Sequence, residues 1–144
     1  MSDSQRFPVA VHALAYLAHA GAFAPCSAVP SAILAASMPT NPVVVRRVTA
    51  MLAKAGLIAA RVGSTGGSWL LKPADAITLD QVLRAVGGCA NLGCPPPGVK
   101  GCPVGERIPE AVRSAIMAAD QAAGERLSRI TVADILKVPE SAAA

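Results

Sequence analysis

The stretch Asn41-Pro42-Val43-Val44-Val45-Arg46-Arg47, running on through Leu52 to Gly56, carries the signals for both ends of a helix. Asn41 offers a side-chain oxygen to the first unpaired backbone N–H groups, and Pro42 stands at a helical position that needs no N–H of its own. Gly56 suits a helix C-terminus because it enters the left-handed conformation without a Cβ clash. The spacing predicts a helix over 41–55. Ahead of it, Ser37-Met38-Pro39-Thr40 cannot remain helical. Further upstream, Ser27 is a candidate cap for a short helix that tolerates Pro30 in its first turn and runs to Ala36. Downstream, Leu57 to Val62 reads as a strand, Gly63-Ser64-Thr65-Gly66-Gly67 as a turn, and Ser68-Trp69-Leu70-Leu71 as a returning strand. A short helix, a tight turn, a capped helix and then a hairpin make a helix-turn-helix followed by a wing.

The flanks are mostly helical. Residues 5–20 carry Val9, Leu14, Tyr16 and Leu17 with no Gly or Pro after Pro8, a buried helix that Gly21 ends. Thr78 with Gln81 forms a capping box that opens a short helix to Val86. Residues 87–105 are a Gly- and Pro-rich loop holding Cys89, Cys94 and Cys102. A long helix over 106–128 sets Ile108, Val112, Ala115, Ile116, Ala119 and Ala123 at three- and four-residue steps, which gives one apolar stripe. Thr131 and Asp134 cap a last helix over 132–138. The fold class is therefore mainly α with a small β-hairpin wing, a winged helix-turn-helix plus a long C-terminal helix. It divides as 1–86, 87–105 and 106–144.

Composition narrows the function. Hydrophobic residues make up 53% of the 144, yet the aromatics are only Phe7, Tyr16, Phe23 and Trp69. Such a chain is poorly suited to an aromatic-lined cofactor pocket or a stacking platform for single strands. The net charge of +4 is unevenly placed. From Ser4 to Ala74 there is no Asp or Glu, against Arg6, Arg46, Arg47, Lys54, Arg61 and Lys72; acids and bases are nearly balanced from Asp75 onward. A one-signed positive surface attracts a polyanion, most often through phosphate. The N-terminus has no signal-peptide pattern and no apolar run reaches the ~18 residues of a membrane span. The expected location is the cytoplasm, where cysteines serve as thiols, metal ligands or redox switches.

The stretch Asn41 to Arg47, together with Leu52-Ala53-Lys54-Ala55-Gly56-Leu57-Ile58, Gly66-Gly67-Ser68-Trp69-Leu70-Leu71 and Ile77-Thr78-Leu79, resembles the Rrf family of bacterial winged-helix regulators. That family includes iron–sulphur, nitric-oxide and cysteine-metabolism regulators. The Asn-Pro-Val-Val-Val-Arg form, with Cys102-Pro103-Val104-Gly105, is most similar to the YwnA-type branch. The resemblance covers about residues 7–136. It implies that the long helix is a dimerisation helix, pairing with its copy in a homodimer. The implied function is that of a homodimeric transcription regulator, a repressor, on a palindromic operator in double-stranded DNA.

In a helix-turn-helix the first turns of the second helix enter the major groove. The candidate DNA contacts there are Thr40, Asn41, Val43, Arg46 and Arg47. Val44 is divided between DNA and core, while Val45, Val48 and Leu52 must pack inward. An Arg can hold guanine O6 and N7, and a Val can meet a thymine methyl; either Arg can instead only neutralise phosphate. In the wing, small enough for the minor groove, the candidates are Arg61, Ser64, Thr65 and Ser68. Gly66 and Gly67 serve turn geometry.

Iron–sulphur members of the resembled family carry three cysteines where Cys89, Cys94 and Cys102 stand, with a fourth ligand elsewhere, in some a carboxylate of the first helix. This chain departs from that pattern. Its gaps of four and seven residues are uneven, and Pro8 or Val9 occupies the place for that carboxylate. His12 and His19 read as helix-packing residues. A thiol–disulfide switch of Cys89, Cys94 and Cys102 needs no fixed coordination and is the expected sensing chemistry, with no cofactor. A cluster held by the same three cysteines is the alternative, and zinc a minor one. Cys26 reads as structural. A thiol-dependent enzyme is the rival from another class, but no His or acid neighbours Cys94 or Cys102 closely enough in sequence to suggest a pair, and no Cys-x-x-Cys occurs. A winged helix kept only for protein contacts is disfavoured by the acid-free first half.

Overall fold

The computed structural model describes residues 5–88 and 92–137. Helix α1 (Arg6–His19) runs through the middle of the core. Its inward stripe is Ala10, Ala13, Leu14 and Leu17, all at zero exposure. Two alanines in that stripe let neighbouring helices approach closely. Helix α3 (Pro42–Lys54) lays Val45, Val48 and Leu52 into the same core. Its predicted cap is present: Asn41 Oδ1 accepts from the Val43 N–H at 2.8 Å. Gly56 follows in the left-handed region with φ 75°.

Between them lies the short α2 (Ser31–Ala36). The cap expected at Ser27 is not there. Val29 is held extended because its N–H and C=O both bond Ser68, each at 2.9 Å. With Val29 extended and Pro30 following, a helix cannot open until Ser31. Ser27 instead closes a 3-10 turn over Pro25–Ser27, its hydroxyl accepting from the Ala24 N–H at 3.2 Å and donating to the Ala24 carbonyl at 3.1 Å.

Strands β1 (Ile58–Arg61) and β2 (Gly67–Leu70) form the antiparallel wing, in the register Ile58 to Leu70, Ala59 to Trp69, Ala60 to Ser68 and Arg61 to Gly67. Helix α4 (Leu79–Ala85) starts at the predicted capping box of Thr78 and Gln81. Helix α5 (Pro103–Leu127) begins three residues before the expected start at 106. Cys102 is its N-cap, and the Cys102 Sγ accepts from the Gly105 N–H at 3.3 Å. The Cys-Pro pair thus repeats the cap-then-proline logic of Asn41-Pro42. Pro109 lies inside α5 and has no N–H for the carbonyl of Gly105. That freed carbonyl accepts from the Val99 N–H at 3.3 Å instead, which ties the preceding segment onto the helix.

Helix α6 (Val132–Leu136) returns to the winged unit. Leu79 N–H donates to the Ile130 carbonyl at 2.8 Å, Val132 N–H donates to the Ile77 carbonyl at 2.9 Å, and the Val132 side chain is fully buried. The terminal helix is therefore packed with residues 6–86, although sequence order sets it after α5. Its capping box is complete, with Thr131 Oγ1 accepting from Asp134 N–H and Asp134 Oδ2 accepting from Thr131 N–H at 2.9 Å. Residue 138 of the predicted helix lies outside the described residues. Among the described residues no helix is long and apolar enough to cross a membrane.

The backbone N–H of Thr131 holds the Asp134 carboxyl below the usual carboxylate range, helped by the Thr131 hydroxyl and Lys137. A depressed folded value means the cap stabilises α6 above the ordinary carboxylate range and loses that contribution as pH falls through the lowered value. Asp134→Ala should therefore unfold at lower urea than the parent at pH 7, and the gap should close toward pH 2.

Candidate nucleic-acid interface

The turn between α2 and α3 is fastened from three sides. Met38 is buried beneath it, and the Thr40 N–H donates to the Met38 carbonyl at 2.6 Å. The Ser37 hydroxyl donates to the Leu34 carbonyl at 2.7 Å, and the same oxygen lies 3.0 Å from His12 Nε2 of α1. Because the single Ser37 proton is already committed, His12 is the donor in that contact. His12 is thus an exposed tether for the turn rather than the packed histidine that the sequence suggested.

With Val45, Val48 and Leu52 buried, the outer face of α3 carries Val43, Arg46, Arg47, Ala50 and Lys54, all exposed. Val43 is 57% exposed, while Val44 and Thr40 are half-buried. Asn41 is exposed, but its Oδ1 is occupied by the cap, which leaves the amide NH₂ for any outside contact. Arg46 Nε donates to Ser31 Oγ at 3.4 Å, a long contact that leans the guanidinium toward α2. Ion pairs join Arg84 to Asp80, Arg113 to Glu110 and Lys137 to Asp134, and none of these involves Arg46, Arg47, Lys54 or Arg61. The positive charge on this face is not neutralised from within. Lys54, one helical turn beyond Ala50, extends the same face and was not among the sequence-derived contacts; its place in the acid-free run was the available signal.

A cleft of about 530 Å³ separates α3 from the wing, lined by Ser31, Arg46, Ala50, Arg61 and Ser64 among others. The wing turn is braced internally. Arg61 Nη2 donates to the Thr65 carbonyl at 3.1 Å, and the Gly66 N–H donates to the Gly63 carbonyl at 3.0 Å. A Cβ on Gly67 would lie 2.7 Å from the Val29 carbonyl carbon, so only glycine lets the wing reach Val29. Ser64 and Thr65 are exposed at the tip. Ser68 is not: it is 6% exposed, and its backbone is paired to Val29. The alternation of the hairpin turns its side chain inward, so the contact expected of it is withdrawn.

The cysteines divide differently from the expectation. Cys26 is exposed in its 3-10 turn rather than packed. Cys94 and Cys102 are exposed free thiols, and Cys89 lies outside the described residues. Among the described residues no group of three or more His, Cys, Asp or Glu is gathered to hold a metal ion.

Comparison with known proteins agrees with this architecture. A family model, Rrf2, described as an iron-dependent transcriptional regulator, matches residues 3–138. A Bacillus subtilis (strain 168) protein described as an HTH-type transcriptional regulator, YwnA, is 37% identical over 108 residues, covering 74% of this chain and 80% of its own. Among solved structures, one described as a DNA-binding protein is 30% identical with a TM-score of 0.68, covering 92% of this chain and 99% of that one. IscR of T. potens has the same fold at 24% identity and a TM-score of 0.66, covering 96% and 88%. The family and the Bacillus subtilis relative are described as transcriptional regulators rather than enzymes, and the thiol-enzyme reading falls with that. The winged helix-turn-helix read from residues 27–71 is that of the Rrf2 family of transcriptional regulators, to which this chain belongs.

Proposed function

We infer that the chain is a homodimeric repressor that sets α3 in the major groove of a palindromic operator and the wing in the neighbouring minor groove. The observation that carries this reading is the exposed, unneutralised basic face of Arg46, Arg47 and Lys54, with Arg46 on the cleft to the wing. Relatives described as an HTH-type regulator and as a DNA-binding protein support it. Val43, the amide of Asn41 and Arg47 are the base-reading candidates, with Arg46, Arg61, Ser64, Thr65 and the half-buried Thr40 toward the backbone. Gel shifts on the DNA upstream of the chain's own gene test it. Affinity should fall steeply with salt through counterion release. Arg46→Ala and Arg47→Ala should each weaken binding roughly tenfold, and the residue that reads a base should also relax specificity at one position. Both variants binding like the parent at every salt concentration would refute the assignment of α3.

The dimer reading rests on α5. This 25-residue helix, about 37 Å long, contains no buried residue. Ile108 and Val112 stand exposed on it, followed on the same stripe by the exposed Ala115 and the half-buried Ile116. An apolar stripe of that length in water calls for a cover, and a second α5 supplies a matching one. Val112 is 40% exposed in the single chain, so a carboxylate there is tolerated until a partner buries it. Val112→Glu should convert a dimer to a folded monomer by light scattering, and a parent already monomeric at micromolar concentration would sink the model.

For sensing, the exposed Cys94 and Cys102 on the segment entering α5 favour a thiol switch, alone or with Cys89. Two thiols losing two protons and two electrons to a peroxide, itself reduced to water, form one disulfide. Engaging Cys102 Sγ would remove the α5 cap and disturb the dimer helix that sets the half-site spacing. Cys102→Ser preserves the cap, since a hydroxyl caps well, while removing the thiol. It should leave reduced-state binding intact and abolish the response to peroxide. An equal response in parent and variant discounts Cys102. A coloured, iron-containing protein would favour the cluster alternative, with Cys89, Cys94 and Cys102 as its candidate ligands.

A further inference from the structure

We propose that Val62 is an apolar contact of the wing with the DNA minor groove and selects against G·C pairs beneath it. The proposal rests on the DNA-binding reading above and adds to it a residue that decides sequence preference. Val62 is 98% exposed, more than any other large hydrophobic side chain among the described residues. A lone exposed valine is ordinary on a protein surface. Its position is what matters here. It follows β1 directly and lines, with Arg46, Arg61 and Ser64, the cleft between α3 and the wing. That cleft belongs to the acid-free half of the chain, so the occupant it favours is anionic.

The neighbours of Val62 leave it the one apolar reaching group of the wing turn. The Arg61 guanidinium folds back to the Thr65 carbonyl at 3.1 Å and braces the turn. Gly63 has no side chain, and the Gly66 N–H to the Gly63 carbonyl closes the loop at 3.0 Å. The tip is therefore preset, with one short, branched, apolar side chain projecting beside small polar ones. The minor groove offers a partner for it. Its walls are sugar C–H groups, and its floor differs chiefly in the amino group that G·C adds and A·T lacks. Apolar side chains are a recurrent means of contact there. A valine reaching the floor gains contact over A·T and meets the amino group over G·C.

The test uses the full chain and a duplex enriched by the parent protein from a random-sequence pool. If nothing is enriched, the DNA-binding reading itself fails before Val62 is in question. Given such a duplex, Val62→Ala should lose about fivefold in affinity, with the salt slope unchanged because no phosphate contact is lost. Val62→Ile should retain parental affinity. Replacing A·T pairs under the wing by G·C should weaken the parent, and inosine·C, which lacks the amino group, should restore binding. Val62→Ala should respond less to both replacements. Equal affinity of Val62→Ala and parent, a slope altered by a full unit, or no relief by inosine would each overturn the proposal. So would a changed oligomeric mass of Val62→Ala with unchanged DNA binding, which would give the side chain to a protein contact.

Discussion

Everything in this molecule depends on α3 being held by one face so that the other is free. Val45, Val48 and Leu52 lie in the same core as the Ala10, Ala13, Leu14 and Leu17 stripe of α1. The three- and four-residue steps of the buried set leave Val43, Arg46, Arg47, Ala50 and Lys54 outward as a consequence of helical geometry. A charged, unneutralised face is expensive to leave near a core of low polarity. It is tolerated here because it points wholly to water, where a polyanion can replace the solvent.

The second constraint is the crossing of Val29 over the wing. Two hydrogen bonds between Val29 and Ser68 add a third extended segment to a hairpin that is otherwise two strands wide. A two-stranded ribbon alone is marginal in water. The close approach requires Gly67, and it also delays α2 until Ser31. One contact thus sets where the first helix of the reading motif starts and ties the wing to the segment before it. The cleft between α3 and the wing is the space this contact leaves.

The C-terminal part combines two opposing tendencies. Helix α6 is anchored in the core through Val132 and the bonds to Ile77 and Leu79. Helix α5, between the loop and that anchor, packs against α4 but buries none of its own residues fully. Its start is organised locally, with Pro109 releasing the Gly105 carbonyl to Val99 and Cys102 capping the first turn. Covalent or coordinating chemistry at Cys102 would therefore act directly on the seat of the most exposed helix.

Much of this was legible in the residues themselves. Helix starts at Asn41-Pro42, Thr78 and Thr131, the stop at Gly56 and the hairpin around residues 63–66 depend on short-range sterics and on hydrogen bonds spanning a few residues, so local letters suffice. The basic face was equally readable, because the absence of acids from Ser4 to Ala74 needs no coordinates. What the letters could not carry were pairings between distant segments. Ser27 has the chemistry of a cap, but the Val29–Ser68 bridge forbids a helix there. Ser68 has the chemistry of a backbone contact, but the same bridge and the strand alternation bury it. His12 looked like a packing residue until α1 met the turn at Ser37. The sequence by itself determined the elements and the sign of the charged face. Only the tertiary structure decided which side chains stand on that face, because burial is set by what the rest of the chain brings alongside.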